Sequence, residues 1–335
     1  MNARQLTVVA VLAAISVAAT AVVLRSGAST IASDRRGEPV LPGLASKANE
    51  ITELVVRDGA DPLTIDRHDG AFVAADSGFA IKTDAVRDLI ASSIALAFEE
   101  ARTSDPARYG ELGLADPGAP DAGKEVIVRA AGGDVADFLV GSRDATVGGP
   151  VGGIFVRLKG EPQTWLARGD VRLPMRRADW FAGLDLDIKD AAIKKIELTG
   201  GGRDAVTVIA NPDKPGELKL ENIPDKRVPE SFKVSRLGTL ITSFAFDDVR
   251  KRSKPPDDPR RMVVTVDDGL QLVITGVGDI SAGWVQLSAE ATNDAQREKA
   301  QAISAKVDGF DFRLPANQAE LLGWTATDLT SEQKS

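Results

Sequence analysis

The chain has 335 residues, 43% of them hydrophobic and 27% charged, a composition that supports real cores and leaves room for about two domains. With 49 acidic against 41 basic side chains and a net charge of −8, nucleic acid is excluded as a partner, since phosphate backbones demand concentrated Lys and Arg. Cysteine is absent and His68 is the only histidine, which excludes disulfides, thiolate zinc sites and Cys nucleophiles.

Residues 1–6 read as a cytoplasmic N-terminus. "TVVAVLAAISVAATAVVL", Thr7 to Leu24, carries no charge and stands between Arg4 and Arg25. As a helix it is about 27 Å long, close to the bilayer core, and predicts a transmembrane anchor at 7–25 in contact with lipid. The alternative is a cleaved export signal, with Ser26-Gly27-Ala28 as its small-residue site. Arg4 favours a cytoplasmic N-terminus, while Arg25, Arg35 and Arg36 pull the other way, so charge alone leaves the orientation open. Residues 26–48 are small, polar and punctuated by Pro and Gly, and predict a linker.

From Ile51 short apolar runs broken by Asp and Gly predict strands: "ITELVVRD", "PLTIDRHDG" and "AFVAAD". Then Val86, Leu89, Ile90, Ser93, Ile94, Ala97 and Phe98 follow the three-and-four spacing of one buried helix face, with Thr83 or Asp84 as cap. Beyond a loop, "EVIVRA", "VADFLVG", "GIFVRL" and "QTWLAR" are again strands. This first α+β unit is placed at 49–170, with a connector at 171–192 whose short helix carries Trp180 and Phe181 into the contact between units.

The same order returns at 193–290. Ile51, Leu54 and Val56 match Ile193, Ile196 and Leu198; Val86, Leu89, Ala97 and Phe98 match Val234, Leu237, Ala245 and Phe246. "FEEAR" (98–102) thus returns as "FDDVR" (246–250), "VIVRAAGG" as "MVVTVDDG", and "GIFVRL" as "AGWVQL". Offsets drift only in loops, so one unit has been duplicated in tandem. Phe98 and Phe246 are expected at the last buried positions of their helices, with the acids behind them facing water. The repeated acid pairs are then a structural device, because a general acid needs burial or a close partner to shift its pKa. Residues 291–335 read as an extension: an amphipathic helix, the strand "FDFRLP", a helical turn at "NQAELLGW" and a frayed tail.

The constellations that carry chemistry are weak. His68 sits at a hairpin turn. "GSRDATVGGPVGGIF", Gly141 to Phe155, is glycine-dense, but a strand follows it where a phosphate loop needs a helix and a Lys. Asp185, Asp187 and Asp190 lack the turn glycine and distal glutamate of a calcium loop. "KPPDDPRR", Lys254 to Arg261, reads as an exposed charged loop. Trp165, Trp180, Trp284 and Trp324 are dispersed. The sequence predicts no catalytic, cofactor-binding or metal-binding residue and no cofactor.

Four stretches together, "LPGLASKANEITELVV", "TSDPARYGELGLADP", "GIFVRLKGEPQTWLARGD" and "AISAKVDGFDFRLPANQAELL", resemble the bacterial domain-of-unknown-function family 4340, over most of the chain. Phe312 stands where that pattern has a tyrosine. The resemblance implies a single-pass inner-membrane protein with its C-terminal domain in the periplasm. It also implies a non-enzymatic auxiliary role beside ABC-type permease or ATPase subunits of the gliding-motility kind. The expected fold is α+β: an N-terminal transmembrane helix, then two similar antiparallel β-sheet units each packing one long helix. Two other functions stay open. One is a periplasmic glycan- or lipid-binding protein with a cleft between the repeats, lined by Trp180 or Trp284. The other, least favoured, is a hydrolase using Glu99 and Glu100.

Overall fold

The structure, a computed structural model, describes residues 35–333 apart from 60, 146–151, 190–191 and 267–268. The anchor expected at 7–25 lies outside the described residues, among which no helix is long and apolar enough to cross a membrane.

The first copy runs β1 (Ile51–Arg57), β2 (Leu63–His68), β3 (Ala71–Ala74), α1 (Thr83–Ile94), β4 (Ala97–Ala101), β5 (Lys124–Ala130), β6 (Gly133–Asp144), β7 (Gly153–Leu158) and β8 (Thr164–Arg168). In hydrogen-bonding order these make an eight-stranded sheet, β3-β2-β1-β5-β6-β7-β8-β4. The second copy runs β9 (Ile193–Thr199), β10 (Val206–Ala210), β11 (Leu218–Leu220), β12 (Arg227–Pro229), α2 (Ser231–Thr242), β13 (Asp248–Lys251), β14 (Arg261–Val266), β15 (Leu270–Gly276), β16 (Trp284–Ala291), α3 (Arg297–Val307) and β17 (Phe310–Arg313). Its sheet order is β11-β10-β9-β14-β15-β16-β17-β13. Matched strand for strand, the two orders are identical, and the duplication seen in the sequence is a duplication of topology. The fold is mixed α and β, built on two large antiparallel sheets.

One compact unit holds the described residues up to Gly70 and Thr83–Leu173. The other holds Ala71–Lys82 and the chain from Pro174 on. Val86, Leu89 and Ser93 of α1 are buried in the first, and Val234, Leu237, Gly238, Leu240 and Ile241 of α2 in the second, as their helical spacing requires. Leu139 lies across β6 from Phe138 and Val140 and joins Tyr109 and Leu114 in a smaller apolar cluster on the other face of the first sheet.

Several expectations are corrected. The helix does not run on to Phe98: α1 ends at Ile94, and Ala97–Ala101 is strand β4, paired with β8. Phe246 likewise lies beyond α2, just before β13. Both "FEEAR" and "FDDVR" are therefore rim-strand motifs. Ile94, Ala97 and Phe98 continue the three-and-four spacing of the helix while Ile94, Leu96 and Phe98 alternate as in a strand, and pairing with β8 decides for the strand.

The linker expected over 26–48 is packed from Arg35 on. Gly37 N–H donates to Phe98 O (2.8 Å), Phe98 N–H to Glu38 O (2.9 Å) and Val40 N–H to Leu96 O (2.9 Å), so this segment covers the free rim of β4. Val40, Leu41 and Leu44 are buried with it. Placing 291–335 in an extension separates β17 from the sheet to which it is bonded; α3 is an insertion between two sheet strands. The tail is not frayed: Leu329 is buried, and β18 (Thr330–Glu332) pairs with β12 beyond the last helix, α4 (Ala316–Gly323).

Candidate functional site

Glu99 falls at a register shift in β4, between Phe98 and Glu100, and a bulge of this kind re-aims its side chain. Its carboxylate accepts from Arg168 Nε (3.1 Å) and from Arg36 of the covering segment. The Arg168 guanidinium, seconded by Arg36, holds this carboxyl below its ordinary range against the opposing effect of burial. An acid kept ionised by two guanidinium groups is a clamp; it has no proton to give at neutral pH. The water-facing position expected for both acids holds only for Glu100, which is exposed and 3.3 Å from Arg102.

The second copy builds a related clamp on the other acid of its pair, Asp248, which stands where the first copy has Glu100. Asp248 accepts from Arg177 Nε (2.8 Å), with Arg313 at 3.8 Å. Arg177 also reaches Asp76 at 3.2 Å. Ahead of each copy stands one short motif, "RRGE" at Arg35–Glu38 and "RRAD" at Arg176–Asp179. In each, the first arginine pairs with the acid three residues on, Arg35 with Glu38 (3.3 Å) and Arg176 with Asp179 (2.7 Å), while the second reaches the acidic rim strand. Sequence reading assigned these segments to a linker and a connector and missed them. The shared "RR-x-acid" pattern, spaced like β1 and β9, is the signal that could have found them.

Both copies also lay the last residue of the motif over an aromatic ring: Arg102 over Phe155 (5.7 Å) and Arg250 over Trp284 (4.1 Å). In the first unit this contact lines an open cleft of about 380 Å³ with Glu100, Thr103, Arg108, Glu111 and Asp144. Its charges are already paired, Arg102 with Glu100 and Arg108 with Glu111 (3.2 Å), so an ionic ligand there must break existing pairs.

The aromatic pair at each rim is the most deliberate construction. Phe98 and Trp165 lie with ring centres 4.6 Å apart in the first unit, and Phe246 and Phe312 at 5.2 Å in the second. Trp165 sits opposite Ala101 as Phe312 sits opposite Val249, so the pairs correspond. On the second pair rests Phe79, buried, with its ring edge-on to Phe246 (5.7 Å), Phe312 (5.6 Å), Phe310 (5.0 Å) and Phe181 (6.0 Å). Its backbone is extended: Ala74 N–H donates to Phe79 O, Lys82 N–H to Trp180 O and Ala182 N–H to Ala80 O. On the first pair rests a cation, the Arg35 guanidinium, 4.1 Å from Phe98 and 5.7 Å from Trp165.

The remaining sequence candidates have structural places. His68 is exposed at the end of β2, 4.0 Å from Asp66. Gly141 is required by packing, since a Cβ there would come 2.3 Å from the Leu112 carbonyl oxygen. In the glycine-dense stretch the strand β7 follows, as expected, and 146–151 lie outside the described residues. Asp187 N–H donates to Asp185, Lys299 donates to the Asp187 carbonyl, and Asp190 lies outside the described residues. Among the described residues no group of three or more acids and histidines is arranged to hold a metal ion.

In the charged loop Lys254–Arg261, Arg260 is buried, against expectation. Its guanidinium donates to the carbonyls of Leu322, Gly200, Asp204 and Trp324, and burial lowers its pKa. Trp165 and Trp180 are buried, Trp284 is half-buried between Arg250 and Arg313, and Trp324 lies under Arg236.

The family model described as "Domain of unknown function (DUF4340)" matches residues 72–261, more than half of the chain. The match opens in β3 of the first copy and closes at the first residue of β14 in the second. No curated protein and no solved structure matches the chain.

Proposed function

Because the chain belongs to the DUF4340 family, we propose that it is a non-enzymatic interaction protein of the cell envelope. In this reading residues 7–25 anchor it in the inner membrane, its C-terminal domain lies in the periplasm, and it assists an ABC-type transport system of the gliding-motility kind. The observation that carries the reading is the use made of the repeated acid–arginine motifs. Glu99 and Asp248 each tie a segment from elsewhere in the chain to the rim of a sheet, and strand rims are surfaces on which proteins hold other extended chains. The 18 uncharged residues from Thr7 to Leu24 support the anchor.

Affinity purification of the full-length protein from membranes in mild detergent, with co-purifying chains identified by mass spectrometry, tests this. A permease or ATPase subunit in stoichiometric yield is the expected result. Recovery of the protein alone, its N-terminal segment intact, would overturn the transporter assignment and favour a ligand-binding role.

A further inference from the structure

The two rim seats are built alike and filled differently. In the second unit the seat of Phe246 and Phe312 holds an extended segment with one aromatic side chain between small residues, "SGFA" at 77–80. The arginine that leads the neighbouring motif, Arg176, is turned out to solvent, its side chain 70% exposed. In the first unit the corresponding arginine, Arg35, lies on the seat of Phe98 and Trp165 in place of a ring. Its side chain is 35% exposed and, among the described residues, pairs peripherally with Glu38 at 3.3 Å and Glu161 at 4.0 Å. Beneath it Trp165 is buried with its indole N–H lacking an acceptor among the described residues. A buried donor left unpaired is costly, and an incoming backbone carbonyl would satisfy it.

We propose that the Phe98–Trp165 seat of the first unit docks an extended segment of a partner protein carrying an aromatic side chain flanked by small residues, which displaces Arg35. The proposal rests on the reading of the chain as an interaction protein and names the surface that does the work. Exchange is physically modest: a partly exposed cation–π contact gives way to ring-on-ring packing, which also buries apolar area. The Arg36–Glu99 pair and the backbone bonds of Gly37–Val40 hold the rest of the covering segment in place while Arg35 swings out, as Arg176 already has.

The probe is the chain's own segment, the peptide Ala75–Lys82 (ADSGFAIK), with benzoylphenylalanine at the aromatic position, photo-crosslinked to the full-length protein in mild detergent. Saturable crosslinks at Leu96–Ala101 or Thr164–Arg168 are expected, competed by the unmodified peptide and not by its Phe→Ala version. Arg35→Ala should tighten apparent binding roughly two- to fivefold, the worth of an exposed cation–π contact. Trp165→Phe, which keeps a ring but removes the N–H, should weaken it. Absence of saturable crosslinking in the first unit would overturn the proposal. So would equal competition by the Phe→Ala peptide, or crosslinks confined to Phe246 and Phe312. The outcome is separable from the transporter assignment. A peptide that fails while transporter subunits co-purify removes this seat and leaves the function; a peptide that binds while none co-purify gives the seat to another partner.

Discussion

At the scale of single residues, the ion pairs here do positional work, and their worth shows in where stability is lost. The folded pKa of Glu99 lies below its unfolded value, so its contribution is complete above the ordinary glutamate pKa of about 4.3. It is lost as pH falls through the depressed folded value. Thermal denaturation followed between about pH 2 and 6 should show that acid limb in the native protein. Glu99→Gln should shallow it, while leaving the second unit's melting unchanged. Arg260 makes the opposite kind of investment, a buried cation satisfied by four carbonyls with no carboxylate. Arg260→Met keeps the bulk but orphans those carbonyls, and should destabilise by about 2–4 kcal/mol. Hydrogen exchange should locate the loss at α4, whose last turn supplies the Leu322 acceptor.

At the scale of elements, the segment Ala71–Lys82 behaves as a piece of the second unit although it belongs in sequence to the first copy. Phe79→Ala removes a buried ring from a cluster of five phenylalanines and should cost about 3–5 kcal/mol, read as a shift in the denaturant midpoint. Phe79→Leu, which refills most of the volume, should recover more than half of that loss. The duplicated strands and both helices were legible in the sequence because alternation and three-and-four spacing are direct consequences of burying one face. The strand β4 was not, since no Gly or Pro separates it from α1 and its apolar residues continue the helical spacing. The covering segments were hidden for another reason. "RRGE" and "RRAD" share three charged positions amid Pro, Gly and aromatic differences, a repeat too short to stand out until the second arginine of each is seen to pair with a distant rim strand. The rim seats needed the register of β4 with β8 and of β13 with β17 before Trp165 and Phe312 could be equated.

At the scale of the whole molecule, the identical strand order of the two sheets invites dissection at the sequence boundary between copies, and the structure argues against it. A fragment ending at residue 170 lacks Trp180, whose carbonyl accepts from Lys82 N–H, and Ala182, whose N–H donates to the Ala80 carbonyl, and it lacks every ring that covers Phe79. Expressed alone, residues 35–170 should bind a hydrophobic dye and aggregate, whereas residues 35–333 should be monodisperse by light scattering. A clean, dye-silent fragment would mean that the first copy can retain its own Ala71–Lys82 segment.

The placement of Phe79 also imposes a timetable. The rings that close on it from β17 belong to Phe310 and Phe312, more than two hundred positions later in the chain. During synthesis or export from the N-terminus, the first copy emerges with this segment unclaimed, and it stays so until nearly the last sheet strand has followed. Contacts of such separation form late and slowly. The second unit is therefore completed late, and a chain halted between Leu173 and Phe310 carries an apolar extended segment open to any holdase or protease that meets it.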